Sequence, residues 1–335
     1  MDVVRVWRDV PQSFKGAVLA IGNFDGVHRG HQAVLGEALR IAQAESLRSG
    51  AVLFEPHPRE FFEPEKPFFR LTPLPLKLEL IEALGLDQVF VIDFENDLAR
   101  LSAGAFATEV VGKGLGASHV VVGHDFTYGR GRTGTTAELA ALGRVLGFGV
   151  DVVEPVGAGE GIFSSSRIRE ELRAGEVREA AEQLGFWWRV RGRVEKGAGR
   201  GKGLGFPTVN VPLVPGHDVR HGIYAMRVHH DGRGHDAAGY VGARPTFGEG
   251  APVLEAYLFD FAGDLYGAEV EAEFIAFLRP DQTFASAEQL AAQMEKDCDT
   301  ARTVLRRIDR DDPMRHFPLG RALSERTLDC PEAGC

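Results

Sequence analysis

The sequence predicts an α/β protein in two parts: a parallel sheet flanked by helices, then an antiparallel β-barrel closed by a C-terminal helix. Three observations predict it. At 335 residues the chain exceeds one ordinary domain and suffices for two, each with its own core. From Ala17 to Glu154 short apolar runs alternate with helix-period segments. Beyond Trp187 the segments are short, rich in β-formers and separated by Gly, Pro or Asp.

In the first half, AVLAIGNF, AVLFEP, QVFVIDF, HVVVGHDF and VDVVEP read as strands. Between them QAVLGEALRIAQ, LKLELIEALG, AGAFATEVVG and TAELAALGRVLG read as helices. The strand runs are nearly continuous in Val, Ile and Leu, as in parallel strands covered on both faces. Two further helices, Ser166 to Ala174 and Val177 to Leu184, close the region, which sets the expected domains at 1–184, 185–315 and a tail at 316–335. In the second half WWRVRGRVEKG, IYAMRVHHDG, AAGYVGARP, VLEAYLFDF and EVEAEFIAFL read as barrel strands. An amphipathic helix follows over roughly 285–308, with Leu290, Met294, Val304 and Leu305 on its packing face. Residues after Asp311 read as loosely held, and Trp187 and Trp188 as packing.

Composition narrows the function. A hydrophobic content of 44% marks a globular protein, and a formal net charge of -10 argues against a phosphate-backbone binder, so no nucleic-acid partner is expected. No apolar segment reaches membrane-spanning length, no targeting peptide opens the chain, and three cysteines imply no disulfide framework, which together predict a cytoplasmic protein with no membrane partner. Self-association stays open.

Gly22-Asn23-Phe24-Asp25-Gly26-Val27-His28-Arg29-Gly30-His31 lies where the first strand gives way to the first helix. Ligands of open α/β sheets bind outside the carboxyl ends of strands, and a helix N-terminus offers free N–H groups to phosphate. His28 and His31, three apart in a first turn, can point to one side and donate to oxygens that gain negative charge. A structural histidine or a zinc ligand are the alternatives, the latter without a Cys or acidic partner at metal-ligand spacing.

This stretch resembles the H-x-G-H signature of nucleotidyltransferases, and its longer form with Phe24 to Val27 is similar to that of the bacterial bifunctional riboflavin kinase/FMN adenylyltransferases. Glu55-Pro56-His57-Pro58, Val122-Gly123-His124-Asp125-Phe126 and Phe163-Ser164-Ser165-Ser166-Arg167-Ile168-Arg169 resemble that family's flavin-side loop, nucleotide-side turn and second phosphate motif, in order. The resemblance implies a Rossmann-like nucleotidyltransferase domain. ATP would be held by Gly22, Phe24, Gly26, His28, His31, Asp125, Ser164, Ser165, Ser166 and Arg169, and FMN by Pro56, His57, Pro58, Phe62 and Phe126. Serine hydroxyls at a helix start and a forked guanidinium suit phosphate, and proline and phenylalanine faces suit a flat ring. Where the family often has Phe-Arg-Phe-Gly, this chain has Phe126-Thr127-Tyr128-Gly129, with no basic side chain at 127.

From Gly197 to Gly205 every second residue is glycine, and Phe206-Pro207-Thr208-Val209-Asn210 follows. A backbone free of Cβ atoms can turn successive N–H groups onto an anion, although a flexible hairpin would read the same way. With Gly222-Ile223-Tyr224, Val241-Gly242-x-Arg244-Pro245-Thr246-Phe247, Glu255-x-x-Leu258-x-Asp260-Phe261 and Phe277-Leu278-Arg279-Pro280, the order resembles the riboflavin kinase module of the same family. It implies that Gly199, Gly201, Lys202, Gly203, Pro207, Thr208 and Asn210 hold a second ATP, that Thr208 and Asn210 hold Mg2+, and that Glu255 is the catalytic base. The expected reactions are riboflavin to FMN, then FMN to FAD, with ATP consumed in both. The expected partners are riboflavin, FMN and ATP. Rival readings are a single-activity nucleotidyltransferase, a non-catalytic flavin sensor and a nucleic-acid-binding barrel.

Overall fold

The computed structural model describes residues 1–158, 161–196, 206–214, 216–243 and 252–328, and the chain divides into two compact units, Met1–Ser165 and Ser166–Cys335. Gly199, Gly201, Lys202 and Gly203, together with the stretch Arg244 to Phe247, lie outside the described residues.

The first unit is built on a six-stranded parallel sheet of β1 (Asp2–Val4), β2 (Val18–Ile21), β3 (Ser49–Glu55), β4 (Gln88–Asp93), β5 (His119–Gly123) and β6 (Gly149–Val153), in the order β1-β4-β3-β2-β5-β6. Every residue of β2 is at most 1% exposed, so its unbroken apolar run is what a strand covered on both faces requires. The helix Arg29–Glu45 turns Val34, Leu35, Ala38, Ile41 and Ala42 inward, a stripe at helical spacing that packs on β2, β3 and β5. From β2 the chain steps to β3 and β4 on one side, then returns to place β5 and β6 on the other. That reversal makes the carboxyl end of β2 a topological switch point, where open α/β sheets bind ligands.

Two departures from the expected elements have local causes. The edge strand β1 is not legible in the sequence, because three residues carry too little pattern to mark a strand; it is held by parallel pairing with β4. The stretch expected as an ordinary helix around Phe106 is a π-helix over Phe106–Gly114, with Leu115 N–H bonded to the Val110 carbonyl at 2.8 Å. Its last residue has no room for a side chain, since a Cβ on Gly114 would lie 2.2 Å from the Trp7 carbonyl oxygen.

After a short antiparallel pair, β7 (Gly157–Ala158) with β8 (Gly161–Ile162), the strands of the second unit, β9 (Arg189–Arg193), β10 (Val209–Pro212), β11 (Gly222–His230), β12 (Arg233–Ala243), β13 (Pro252–Leu258) and β14 (Glu269–Arg279), run antiparallel in the order β10-β13-β12-β11-β14-β9. An antiparallel bridge between Glu195 and Asn210 joins the two ends of this sheet into a nearly closed barrel. The helix Ala287–Arg310 buries Ala301 and Leu305 against Ala225, Phe259 and Ile275. Trp187 and Trp188 are 3% and 1% exposed, in the core as read.

The expectation of a loose chain after Asp311 is overturned as far as Leu328; residues 329–335 lie outside the described residues. Pro313–His316 forms a 3-10 turn and Pro318–Leu328 a helix, with Met314 and Leu319 buried. The Asp312 carboxylate accepts from the Met314 N–H and from Trp187 Nε1, both at 3.0 Å. Two apolar anchors and one bridging carboxylate suffice to fix this segment, and none of them forms a period legible in sequence.

Candidate active sites

The loop after β2 is held from below. Phe24 and Val27 sit at φ 47° and 44°, the left-handed region that side chains other than glycine rarely adopt, so packing and hydrogen bonds must over-determine the turn. Asp25 does this first. Only 3% exposed, it accepts from the Leu71 and Thr72 N–H groups at 3.1 Å. Thr72 Oγ1 in turn takes the Gly26 N–H at 2.8 Å. Lys77, 2% exposed, donates from Nζ to the Asn23 carbonyl at 2.8 Å, and its burial pushes the ammonium below the usual lysine range. From the far end of the unit, Ser165 Oγ donates to the Asp25 carbonyl at 2.8 Å.

On this frame stand the histidines. His28 caps the helix Arg29–Glu45, its Nδ1 accepting the His31 N–H at 3.3 Å, and the two rings stack at 3.6 Å between centroids and 21° between planes. Phe24 packs on His31 in a T-shaped arrangement, with ring centroids 5.3 Å apart. Gly30 leaves the room this needs: a Cβ there would meet the His28 ring at 3.1 Å. The result is a pair of imidazoles at a helix N-terminus on the switch point, the place expected for the phosphates of a nucleotide.

The residues expected on the flavin side are distributed differently. His57 caps the short helix Pro58–Phe62, Nδ1 accepting from the Arg59 N–H at 3.2 Å, and lies 4.6 Å from the Phe68 ring. Burial, with Lys77 and Arg70 nearby, pushes its pKa from 6.5 down to about 4, so the ring is neutral near pH 7. Pro56 and Phe62 are exposed, the latter with 64% of its surface in solvent, although Phe62 still touches Phe94 at 5.7 Å. Phe126 stacks on Tyr128 at 5.6 Å. Asp125 is exposed in the turn after β5. Ser164 is partly buried, whereas Ser166 is exposed and Arg169 buried in the opening turns of the helix Ser165–Ala174.

In the barrel the register brings the second set together. Asn210 of β10 pairs directly with Glu255 of β13, and Glu255 also faces Tyr240 of β12. Directly opposed residues carry their side chains on one face, with Cβ atoms about 5 Å apart. Asn210 is 4% and Glu255 9% exposed. Asn210 Nδ2 donates to the Thr208 carbonyl at 3.3 Å, while its Oδ1 is buried with no hydrogen-bond partner among the described residues. An unmatched buried amide oxygen is costly, and it is the ligand type a hard divalent cation takes. Pro207 and Thr208 lead into β10, and Phe206 before them packs edge to face on Tyr257 at 5.3 Å.

Comparisons with known proteins agree with this division. The FAD synthetase family model matches residues 10–167 and the riboflavin kinase model residues 184–305. A bifunctional riboflavin kinase/FMN adenylyltransferase of Pseudomonas fluorescens is 37% identical over 305 residues, covering 91% of this chain and 98% of its own. The chain belongs to the bifunctional riboflavin kinase/FMN adenylyltransferase family. Its relatives of the same description from Listeria monocytogenes and Escherichia coli K12 are 34% and 36% identical, over 90% and 86% of this chain and 95% and 92% of theirs. A solved structure from Streptococcus pneumoniae, described as a macrolide-efflux protein, superposes with a TM-score of 0.81 at 28% identity, over 90% of this chain and 99% of that one. That description belongs to the pneumococcal protein; no described helix here is long and apolar enough to cross a membrane.

Within the family frame, several residues that position the sites escaped the sequence. Thr72 and Lys77 carry no motif, and they meet the histidine loop from 46 and 54 positions away. Arg132 sends Nε to Thr127 Oγ1 at 2.8 Å, so a guanidinium reaches the position where the family often has arginine. Arg279, part of the Phe-Leu-Arg-Pro stretch, clamps Asp297 with two bonds of 2.9 and 2.7 Å, and Arg302 clamps Asp260 at 2.7 and 3.0 Å. These forks pin the long helix to the barrel beside β13 and β14.

Proposed function

We propose that the chain makes FAD from riboflavin in two ATP-dependent steps at separate sites, the N-terminal part (1–184) adenylylating FMN and the barrel (185–315) phosphorylating riboflavin, with 316–335 outside both. The observation that carries the reading is the β10–β13 register, which sets Asn210 beside Glu255 in a part of the chain similar to riboflavin kinases.

In the barrel, Glu255 takes the proton of the ribityl 5'-hydroxyl as that oxygen attacks the γ-phosphorus of ATP, and ADP leaves. The hydroxyl is a poor nucleophile until that proton goes, which is why this site needs a carboxylate. Thr208 and Asn210 would hold Mg2+, which supplies charge neutralisation for the phosphates when bound; the orphaned Asn210 Oδ1 fits a hard cation. Pro207 fixes the backbone ahead of both.

In the N-terminal part the FMN phosphate is already anionic and needs no base. Its oxygen attacks the α-phosphorus of ATP, and pyrophosphate leaves. Charge gathers on the leaving oxygens, where His28 and His31 donate hydrogen bonds beside the helix N-terminus. Ser164, Ser165, Ser166 and Arg169 serve the same phosphates, Gly22, Phe24, Gly26 and Asp125 shape the nucleotide pocket, and Pro56, His57, Pro58, Phe62 and Phe126 receive the flavin. The protein works in the cytoplasm on riboflavin, FMN and ATP, without nucleic acid.

The test is a chromatogram of products from riboflavin with Mg-ATP. Wild-type chain yields FMN and FAD. Glu255→Gln yields neither from riboflavin yet converts supplied FMN to FAD, and His28→Ala with His31→Ala stops at FMN. Equal loss of both steps in either variant refutes separate sites.

A further inference from the structure

We propose that the cavity between the barrel and the C-terminal segment binds a phosphate-bearing anion through Arg233 and Arg315. The cavity lies wholly in the second unit and measures about 500 Å³, within the range of small-molecule sites. One wall is barrel: Arg189, Arg227, His229, Arg233 and His235, with Glu273. The other is the ordered C-terminal segment, from Asp309 through Asp312 and Arg315 to Ser324. That second wall falls beyond residue 305, where the riboflavin kinase match ends.

The charges in the cavity do not balance, and the remainder is positive. Each lining acid already has its donors. Glu273 takes Arg189 Nη2 at 2.7 Å and lies 3.2 Å from His229 Nε2. Asp309 takes Arg227 Nη2 at 2.6 Å, and Asp312 takes Trp187 Nε1 and the Met314 N–H. Arg189 and Arg227 are thereby spent. Among the described residues, the guanidinium groups of Arg233 and Arg315 have no hydrogen-bond or ion-pair partner. They come from different elements of the lining: Arg233 from the start of β12, Arg315 from the 3-10 turn. Two forked donors with no acceptor of their own, brought to one cavity by separate elements, suit a tetrahedral dianion better than a carboxylate, which one fork can satisfy. His235 lines the same mouth and adds a ring nitrogen.

This site is separate from the proposed kinase centre. Glu255 pairs with Tyr240, seven residues along β12 from Arg233, or about 23 Å at roughly 3.3 Å per residue. Neither Asn210 nor Glu255 lines the cavity.

Equilibrium dialysis of the full chain against labelled inorganic phosphate and labelled pyrophosphate, at constant ionic strength and without nucleotide, tests the proposal. Wild-type chain and His28→Ala/His31→Ala both bind with the same affinity at this site, and Arg233→Gln/Arg315→Gln loses it by tenfold or more. Trp187, whose indole N–H is tied to Asp312 in the wall, gives a local fluorescence readout of the same titration. Since both arginines are exposed, the single variants fold and fall between. Saturation by phosphate alone assigns the site to the free ion. Saturation at tenfold lower pyrophosphate assigns it to a reaction product, an arm that rests on the proposed adenylyl transfer as the site itself does not. An isotherm unchanged in Arg233→Gln/Arg315→Gln, or abolished in His28→Ala/His31→Ala, overturns the proposal.

Discussion

Thr72 offers the sharpest test of how the histidine loop is held. Its side chain is fully buried and its Oγ1 accepts the Gly26 N–H at 2.8 Å, in a loop that also carries Phe24 and Val27 at positive φ. Thr72→Val keeps the shape and removes that acceptor, together with the hydroxyl's longer 3.4 Å donation to Asp25 Oδ1. The Gly26 N–H then either stays buried without a partner, at a cost of about 1–3 kcal/mol, or swings out and takes the loop with it. Both outcomes displace the turn that aims His28 and His31. If that cost falls on the arrangement the reaction needs, adenylylation of FMN drops roughly 5- to 150-fold, at about 1.4 kcal/mol per factor of ten. Thr72→Ser restores the hydroxyl and most of the rate. Riboflavin phosphorylation changes less than twofold in both variants, which separates loss of the loop from loss of the fold. The assay is steady-state FAD formation from FMN and ATP beside FMN formation from riboflavin. Adenylylation within twofold of wild type in Thr72→Val, or equal losses in the Ser and Val variants, refutes the role given to this hydrogen bond.

Gly30→Ala places a methyl 3.1 Å from the His28 ring; the ring must tilt out of its stack on His31, and adenylylation falls about tenfold with the melting temperature nearly unchanged, as paired kinetics and thermal unfolding would show. Asn210→Ala removes the orphaned oxygen, so the Mg2+ concentration needed for half-maximal FMN formation rises by an order of magnitude, and a magnesium titration with no shift would dismiss the ligand role. His57 has its pKa lowered from 6.5 to about 4 by burial. The unfolded chain therefore takes the proton first as pH falls, and stability present above pH 6.5 is lost toward pH 4. At pH 5 that loss is at most about 2 kcal/mol, discounted for the ring's partial exposure. Urea unfolding at pH 7.5 and 5.0 should show a smaller drop for His57→Gln than for wild type.

How much of this was legible in the sequence depended on whether a feature is local. The strands β2 to β5 announce themselves because burial on both faces demands long runs of apolar residues, whereas β6 at the sheet edge is partly exposed and shows only its valines; the histidine pair is visible because a helix start and its cap are neighbours in sequence. Asp25 shows the limit. It stands inside the motif and would pass for a ligand-facing acid, yet its carboxylate turns away into the Leu71 and Thr72 amides. Thr72 and Lys77 look like an ordinary helix approach and an ordinary surface lysine, and only the fold carries them under the loop. The C-terminal segment failed for the same reason, since its order comes from Asp312 bridging to Trp187 across 125 residues.

The barrel site sharpens the point. Glu255 reads as an edge carboxylate by any local measure, and Asn210 as a polar residue in a short strand. What brings them together is register, because a slip of one residue in β10 against β13 would send Asn210 to the opposite face. The register is fixed at both ends: Val209 opposes Ala256 and Pro212 opposes Val253, while Val211 and Leu254, at 1% exposure each, face one another in the core. The apolar pair locks the polar pair beside it. Enlarging or shrinking Val211 should therefore disturb phosphoryl transfer more than its distance from any phosphate would suggest, since the residue that packs the core is also the one that decides which way Asn210 points.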